Sequence, residues 1–403
     1  MILRLAALFF FIQLVLPINL HFLIQEAEPA IVDPQVTPEF GQQITFQARV
    51  VPPDQVDKLL VYITPASQPT VWESMTVDEQ GQAPLTVDVR RLPLAPFSTV
   101  NYRFEAILKD GQTISGEQLS FEYDDTRFEW QQQADGVFQV YWYGDDVTLG
   151  QEILNVAEAG LERARGLLNV EPPAPIRIYA YTSSRDLQSA LQLVTQYWIA
   201  GHASPELGMI LISVPGGPEK NLELQRQIPH EIMHLLQYQV TGSQFTRQAV
   251  WLLEGMSSLA ELYPNPEYMR VLEETARQND LLPMETLCAS FPADAGLAFR
   301  SYAQSESFVN FLHTNYGTES LRRLMDEYQN GLGCKEGIAA VYGETLSQLE
   351  YRWKQEALGI NPGGLALRRL SPYLLLGLLI ILPAAVAFWP YQPRRKESAV
   401  EQD

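Results

Sequence analysis

The chain has 403 residues and five histidines, and two of these stand four apart in the string His230-Glu231-Ile232-Met233-His234. Residues four apart lie on one face of a helix, so both imidazoles can reach a single metal ion if this segment is helical. Zinc suits such ligands: it brings the pKa of water down to near neutrality, and Glu231 is placed to take that water's proton. The chemistry implied is hydrolysis, and a hydrolytic zinc site takes three protein ligands and leaves one position open. The third ligand is expected at Glu254, twenty residues after His234 in TRQAVWLLEGMSSLAELY. A carboxylate inside an apolar helical run is costly to leave unpaired, and metal ligation removes that cost. Glu261 follows seven residues later. It falls two helical turns along the same face, placed either to accept the free ring N–H of a ligand histidine or to stand as a solvated helix charge. Pro229, just before the motif, either begins its helix or kinks it.

These residues need a scaffold, and the length of the chain suggests two folded domains. Hydrophobic residues make up 46% and charged residues 19%, which is the composition of a packed globular protein. Residues 31–125 carry short runs of alternating polarity (ITFQARVV, KLLVYITP, PLTVDVRRL, VNYRFEAIL, EQLSFEYDD) separated by Pro, Gly and Asp clusters. That pattern predicts an all-β, immunoglobulin-like sandwich, with a hairpin turn at Lys109-Asp110-Gly111-Gln112. Beyond it, strands are expected around FEWQQQ, GVFQVYWYG, IRIYAY and GMILISV. Helices are expected over Gly150–Leu168 and Arg185–Tyr197 and through most of Asn221–Leu358. A small sheet followed by many helices is an α+β layout, assigned to residues 126–358. Cys288 and Cys334 are the two cysteines. Outside the cytoplasm they can close a disulfide across the helices between them, or they can be two small buried thiols. Neither has a Cys or His at ligand spacing, so a cysteine zinc site is not expected.

The pair HEIMH and WLLEGMSSLAEL resembles the gluzincin metallopeptidases, and its WL-x-EG form is closest to the aminopeptidase N family and related peptidase MA-like domains. FRSYAQSESFVNFLHTNYGTESLRRLMDEY is similar to the stretch of that family in which a tyrosine opens a helix and a glycine closes it. The resemblance covers roughly residues 131–358. It implies a gluzincin-like fold and makes Tyr302 the residue that hydrogen-bonds the tetrahedral oxyanion; the plainer reading of Tyr302 is a core aromatic at a helix start. The family's Gly-x-Met-Glu-Asn strand, whose glutamate binds a substrate's free amine, is missing here. GHASPELGMILIS, at residues 201–213, stands in about that place and can supply an edge strand for substrate. Within it His202 either lines the cleft or is an ordinary satisfied polar residue. The family's asparagine before the ligand glutamate is Leu253 here, and the glycine three after its tyrosine is Ser305.

The ends of the chain set the expected location. Residues 1–27 read as an export signal, with Arg4 ahead of an apolar run and no clean cleavage site. Residues 359–372 read as a linker. Residues 373–389 (YLLLGLLIILPAAVAFW) are uncharged and bounded by aromatics, a transmembrane helix, and residues 390–403, with Arg394, Arg395 and Lys396, are a cytoplasmic tail. A formal charge of −20 repels nucleic acid, so no such partner is expected. The sequence therefore reads as a membrane-anchored, extracytoplasmic metallopeptidase with one zinc ion per chain, acting on a peptide or protein substrate and held to the lipid bilayer by its C-terminal helix. The alternative is an inactive surface binding or scaffold protein that keeps a metallopeptidase fold. The complete set of His230, His234, Glu254 and Glu231 speaks against it, because a protein that only binds has no need of Glu231.

Overall fold

A computed structural model describes residues 28–92, 94–192, 201–214, 216–360 and 370–381. The chain divides into two compact units at Asp124 and Asp125. The expected signal (1–27) and tail (390–403), and most of the linker, lie outside the described residues.

The first unit is all-β: β1 (Ala30–Glu39), β2 (Gln43–Val51), β3 (Val56–Thr64), β4 (Val71–Met75), β5 (Gln82–Asp88), β6 (Thr99–Leu108), β7 (Thr113–Ser115) and β8 (Leu119–Glu122). One sheet has the order β1-β2-β5 and the other β4-β3-β6-β7, with β8 also paired to β6. Every pair in these sheets is antiparallel. Alternation decides the inner faces: along β6, Val100, Tyr102, Phe104, Ala106 and Leu108 are buried while the residues between them are not. At the β6–β7 turn Gly111 takes φ 87°, in the left-handed region that a side chain would resist. Asp110 Oδ1 accepts the Gln112 N–H there at 2.9 Å.

The second unit is α+β. Its strands are β9 (Gln131–Asp135), β10 (Phe138–Trp142), β11 (Ile176–Tyr181), β12 (Gly201–Ser204) and β13 (Met209–Ser213). They form one sheet in the order β12-β13-β11-β10-β9. Strands β10, β11 and β13 are parallel, while β9 and β12 run antiparallel at the edges. The helices are α1 (Leu149–Leu167), α2 (Ser184–Ala190), α3 (Lys220–Thr241), α4 (Val250–Ala260), α5 (Glu267–Gln278), α6 (Ala295–Tyr316), α7 (Thr318–Gln329), α8 (Cys334–Tyr342) and α9 (Leu346–Glu356). The buried stripe of α1, with Ile153, Leu154, Ala157, Leu161 and Ala164, shares one core with Ile178 and Ile210 of the sheet and Ile228 and Ile232 of α3.

Several expected boundaries move. Helix α2 ends at Ala190 rather than Tyr197, and Gln192 takes φ 54°; residues 193–197 lie outside the described residues. Pro229 does not begin α3 but sits buried inside it, against α1 near Gly160. Helix α6 begins at Ala295, because Asp294 caps it by accepting the Leu297 N–H at 2.9 Å, so Tyr302 lies two turns inside the helix instead of opening it. Helix α4 stops at Ala260, three residues before Tyr263-Pro264, and Glu261 is its first extended residue. Cys288 and Cys334 are joined in a disulfide, S–S 2.04 Å. Of the expected membrane span (373–389), residues 373–381 are helical, in a helix described over 370–381, and residues 382–389 lie outside the described residues. Among the described residues no helix is long and apolar enough to cross a membrane.

Candidate metal centre

Helix α3 carries His230, Glu231 and His234 on the face turned to α4 and to the edge strand β12. The two histidines meet Glu254 of α4: Glu254 Oε2 is 3.3 Å from His230 Nε2 and 3.6 Å from His234 Nε2. One donor atom from each of the three lies within 4.8 Å of the others. Glu254 is half-buried between the buried Leu253 and Gly255, so the single acidic residue of this apolar helix is turned to the cleft.

The walls behind these groups are tied by the backbone. Proline at 229 has no N–H to give the carbonyl of Gln225 one turn earlier. That carbonyl accepts the Leu262 N–H instead, at 2.9 Å, and so fastens the segment after α4 to α3. Glu261 is thereby buried behind the first histidine, with Oε1 3.3 Å from His230 Nδ1. Behind the second histidine, Gln237 Oε1 lies 3.0 Å from His234 Nδ1, with Ser257 Oγ 3.3 Å from the same nitrogen. Gln237 went unseen in the sequence, where a glutamine three residues beyond a histidine looks like any polar helix position. On the far side, β12 crosses over Glu231, and a Cβ at Gly201 would stand 2.6 Å from Glu231 Oε1. The backbone N–H of Ala203 donates to the same carboxylate.

Tyr302 reaches the site from α6. That helix can approach α4 closely because residue 255 is glycine: a Cβ there would stand 2.5 Å from the Ser305 carbonyl oxygen. The Tyr302 ring lies 6.2 Å from that of His230 and edge-on to Phe291. Tyr302 and His202 line the same cleft of about 620 Å³ as His230, Glu231, His234 and Glu254. The start of α4 is held by the disulfide region, where Cys288 O accepts the Val250 N–H at 2.9 Å and Trp251 Nε1 lies 3.3 Å from Cys334 Sγ.

The charges of the site depend on one another. Burial opposes the charge of Glu254, but His234 and His230 outweigh it and hold this carboxyl far below the usual range. Burial also opposes a charged His230, yet the carboxylates of Glu254 and Glu261 raise its pKa well above the ordinary histidine value. His234 is raised in the same way, chiefly by Glu254 against burial. Glu231 is pushed up by burial, partly offset by the two imidazoles. Burial first, then Glu254 and Glu231, drives the Tyr302 hydroxyl well above its usual value. His202 is open to the cleft, but the walls around it lower its pKa.

An ion with tetrahedral bonds of about 2.0–2.1 Å holds its donors about 3.3 Å apart, close to the spacings seen between Glu254 and the two imidazoles. Two imidazoles and one carboxylate are the donor set of a hydrolytic zinc site. Both Nδ1 atoms have partners behind them, so it is the Nε2 atoms that face the shared carboxylate. These residues fit a zinc ion.

Residues 156–359, just over half of the chain, match the family model of the Peptidase MA superfamily. The chain belongs to this superfamily. The matched segment contains α3, α4 and α6, and so all the residues converging on the cleft. No curated protein matches the chain. Solved structures are matched only weakly. A bromine derivative of BhCBM56 is 15% identical, over 22% of this chain and 88% of that one, with a TM-score of 0.18. OgpA from Akkermansia muciniphila is 19% identical over 24% of this chain and 29% of that one, and a purple acid phosphatase from yellow lupin is 10% identical over 46% and 35%, both with TM-scores of 0.21. The chain thus spans about a third of the length of the latter two.

Proposed function

We propose that this member of the Peptidase MA superfamily is a zinc-dependent peptidase of the gluzincin kind, hydrolysing peptide bonds of a peptide or protein substrate with one zinc ion per chain. The observation that carries the reading is the convergence of His230, His234 and Glu254 on one point of a cleft, with the buried Glu231 beside them. Zinc held by these three donors would supply Lewis acidity to the scissile carbonyl and to water. Glu231 takes the proton of the attacking water and passes it to the leaving amine. The Ala203 N–H and the close backbone of Gly201 fix its position. Tyr302, whose hydroxyl keeps its proton, donates a hydrogen bond to the oxyanion. The outer edge of β12, which pairs only with β13 among the described residues, offers backbone groups to an extended substrate.

The location that goes with this reading is extracytoplasmic, with an export signal at residues 1–27, a span at 373–389 in the bilayer and a cytoplasmic tail at 390–403. Two observations support it. The Cys288–Cys334 disulfide suits an oxidising compartment, and Leu374, Leu375, Leu376, Leu379 and Ile380 all stand exposed on the helix at 370–381, as lipid-facing residues would.

The test is zinc content together with cleavage of a quenched-fluorescence peptide library by the purified protein and its E231Q variant. One zinc per chain in both is expected, with turnover lower in the variant by about 10²–10⁴-fold. Equal turnover would remove Glu231 from the mechanism. One zinc and no turnover in either protein would favour a surface binding protein that keeps the fold.

A further inference from the structure

We infer that Gln237 is a positioning residue that sets the tautomer of His234; this rests on the metal-centre reading above. Gln237 is fully buried on α3, and its amide bridges the imidazole and α4. Its Nε2 donates to the backbone carbonyl of Leu253 at 2.9 Å, and its Oε1 lies 3.0 Å from His234 Nδ1. A backbone carbonyl only accepts, so the NH₂ end of the amide must face Leu253. The oxygen end then faces His234, and since that oxygen also only accepts, Nδ1 must be the ring nitrogen that carries the proton. The lone pair is left on Nε2, the atom that faces Glu254. Turning the amide around would oppose two carbonyl oxygens and set the NH₂ against the ring N–H. With the side chain fully buried, water offers no relief. Ser257 Oγ, 3.3 Å from the same Nδ1, can rotate to accept as well and does not decide the tautomer.

The two histidines are therefore backed differently. His230 leans on a carboxylate, that of Glu261. His234 leans on a neutral amide, which selects a tautomer without adding charge. The carbonyl that orients this amide belongs to the residue before Glu254, so one side chain ties the second histidine ligand to the helix of the third.

The test is zinc affinity by chelator competition on the full chain, comparing wild type with Gln237→Met and Gln237→Glu, with melting of each metal-free protein followed alongside. Methionine fills the space without accepting a hydrogen bond and is expected to weaken zinc binding about 10–100-fold. Glutamate keeps an acceptor for the Nδ1–H, and in its ionised form, which rising pH favours, it has no donor for Leu253; its affinity there should stay within about tenfold of wild type and above that of the methionine variant. A role limited to tying α3 to α4 would lower both variants equally, because both lose the Leu253 bond, and that outcome overturns the inference. So does a methionine variant within about twofold of wild type. Gln237→Leu replaces the methionine variant if the latter does not fold. A wild type that holds no zinc refutes the metal-centre reading itself, and the same titration shows this before any variant is compared.

Discussion

Glu306 lies on α6 one turn beyond Tyr302 and has no step in the proposed chemistry, and it should make the protein's stability depend on pH. Burial, and then the nearby carboxylate of Glu261, raises its pKa from 4.5 to about 7. The folded chain then binds a proton at Glu306 more tightly than the unfolded chain does. The stabilisation that follows is complete below about pH 4.5 and is lost as pH rises through about 7. A shift of about 2.5 units corresponds to about 3 kcal/mol at pH values above 7, of which about 1 kcal/mol is already lost near pH 5. Glu306→Gln removes the titration while keeping the shape. The variant should therefore gain stability over wild type between about pH 5 and pH 8, by about 2 kcal/mol. Urea unfolding of both proteins at the two pH values, with a chelator present so that metal binding adds no pH dependence of its own, gives that difference directly. A stability difference that stays the same at both pH values, or one that favours wild type as pH rises, would refute the reasoning.

Tyr302→Phe should lower kcat about 10²-fold with KM nearly unchanged, because the hydroxyl is used only when charge develops on the oxyanion; a change confined to KM in steady-state kinetics would argue for a packing role. Reducing the Cys288–Cys334 bond, whose cysteines are 46 residues apart, should cost about 4 kcal/mol by loop entropy, or about 8–16 °C in melting temperature. Since the same region anchors the start of α4 through Val250 and Trp251, zinc retention against a chelator should fall as well. Unchanged melting and unchanged retention would show that the clamp is dispensable.

What could be read in advance was whatever depends on spacing along one helix or on the cost of burial. His230, Glu231 and His234 share a face because they lie on one α-helix, and Glu254 could be picked out as a carboxylate in an otherwise apolar helix. What could not be read depends on groups that a sequence does not show. Gln237 is set by a backbone carbonyl sixteen residues away. The end of α4 at Ala260 is set by a hydrogen bond from Leu262 to another helix. Helix α6 starts earlier than expected for a smaller reason: Asp294 is an N-cap signal within the sequence itself, whereas the similarity to a family segment implies a helix start at Tyr302. The first unit was legible because alternation along β6 and the Asp-Gly turn are local signals.

Pro229 lies inside α3, one residue before His230. In the middle of a helix a proline ordinarily costs about 3 kcal/mol, because it leaves a carbonyl without its partner and crowds the turn before it. Here the carbonyl it leaves, Gln225 O, is one turn before the motif and is taken by Leu262, the residue after Glu261. The carboxylate behind His230 is thus held in place by a defect in the helix that carries His230. A regular helix at that point would satisfy Gln225 internally and leave the Leu262 N–H to find another acceptor. The proline also packs on α1 at Gly160, beside the core that α1 and α3 share with the sheet. Helix α3 therefore does more than present ligands at a four-residue spacing: its one irregular position fixes what stands behind the first of them, and Gln237, two turns later, fixes what stands behind the second.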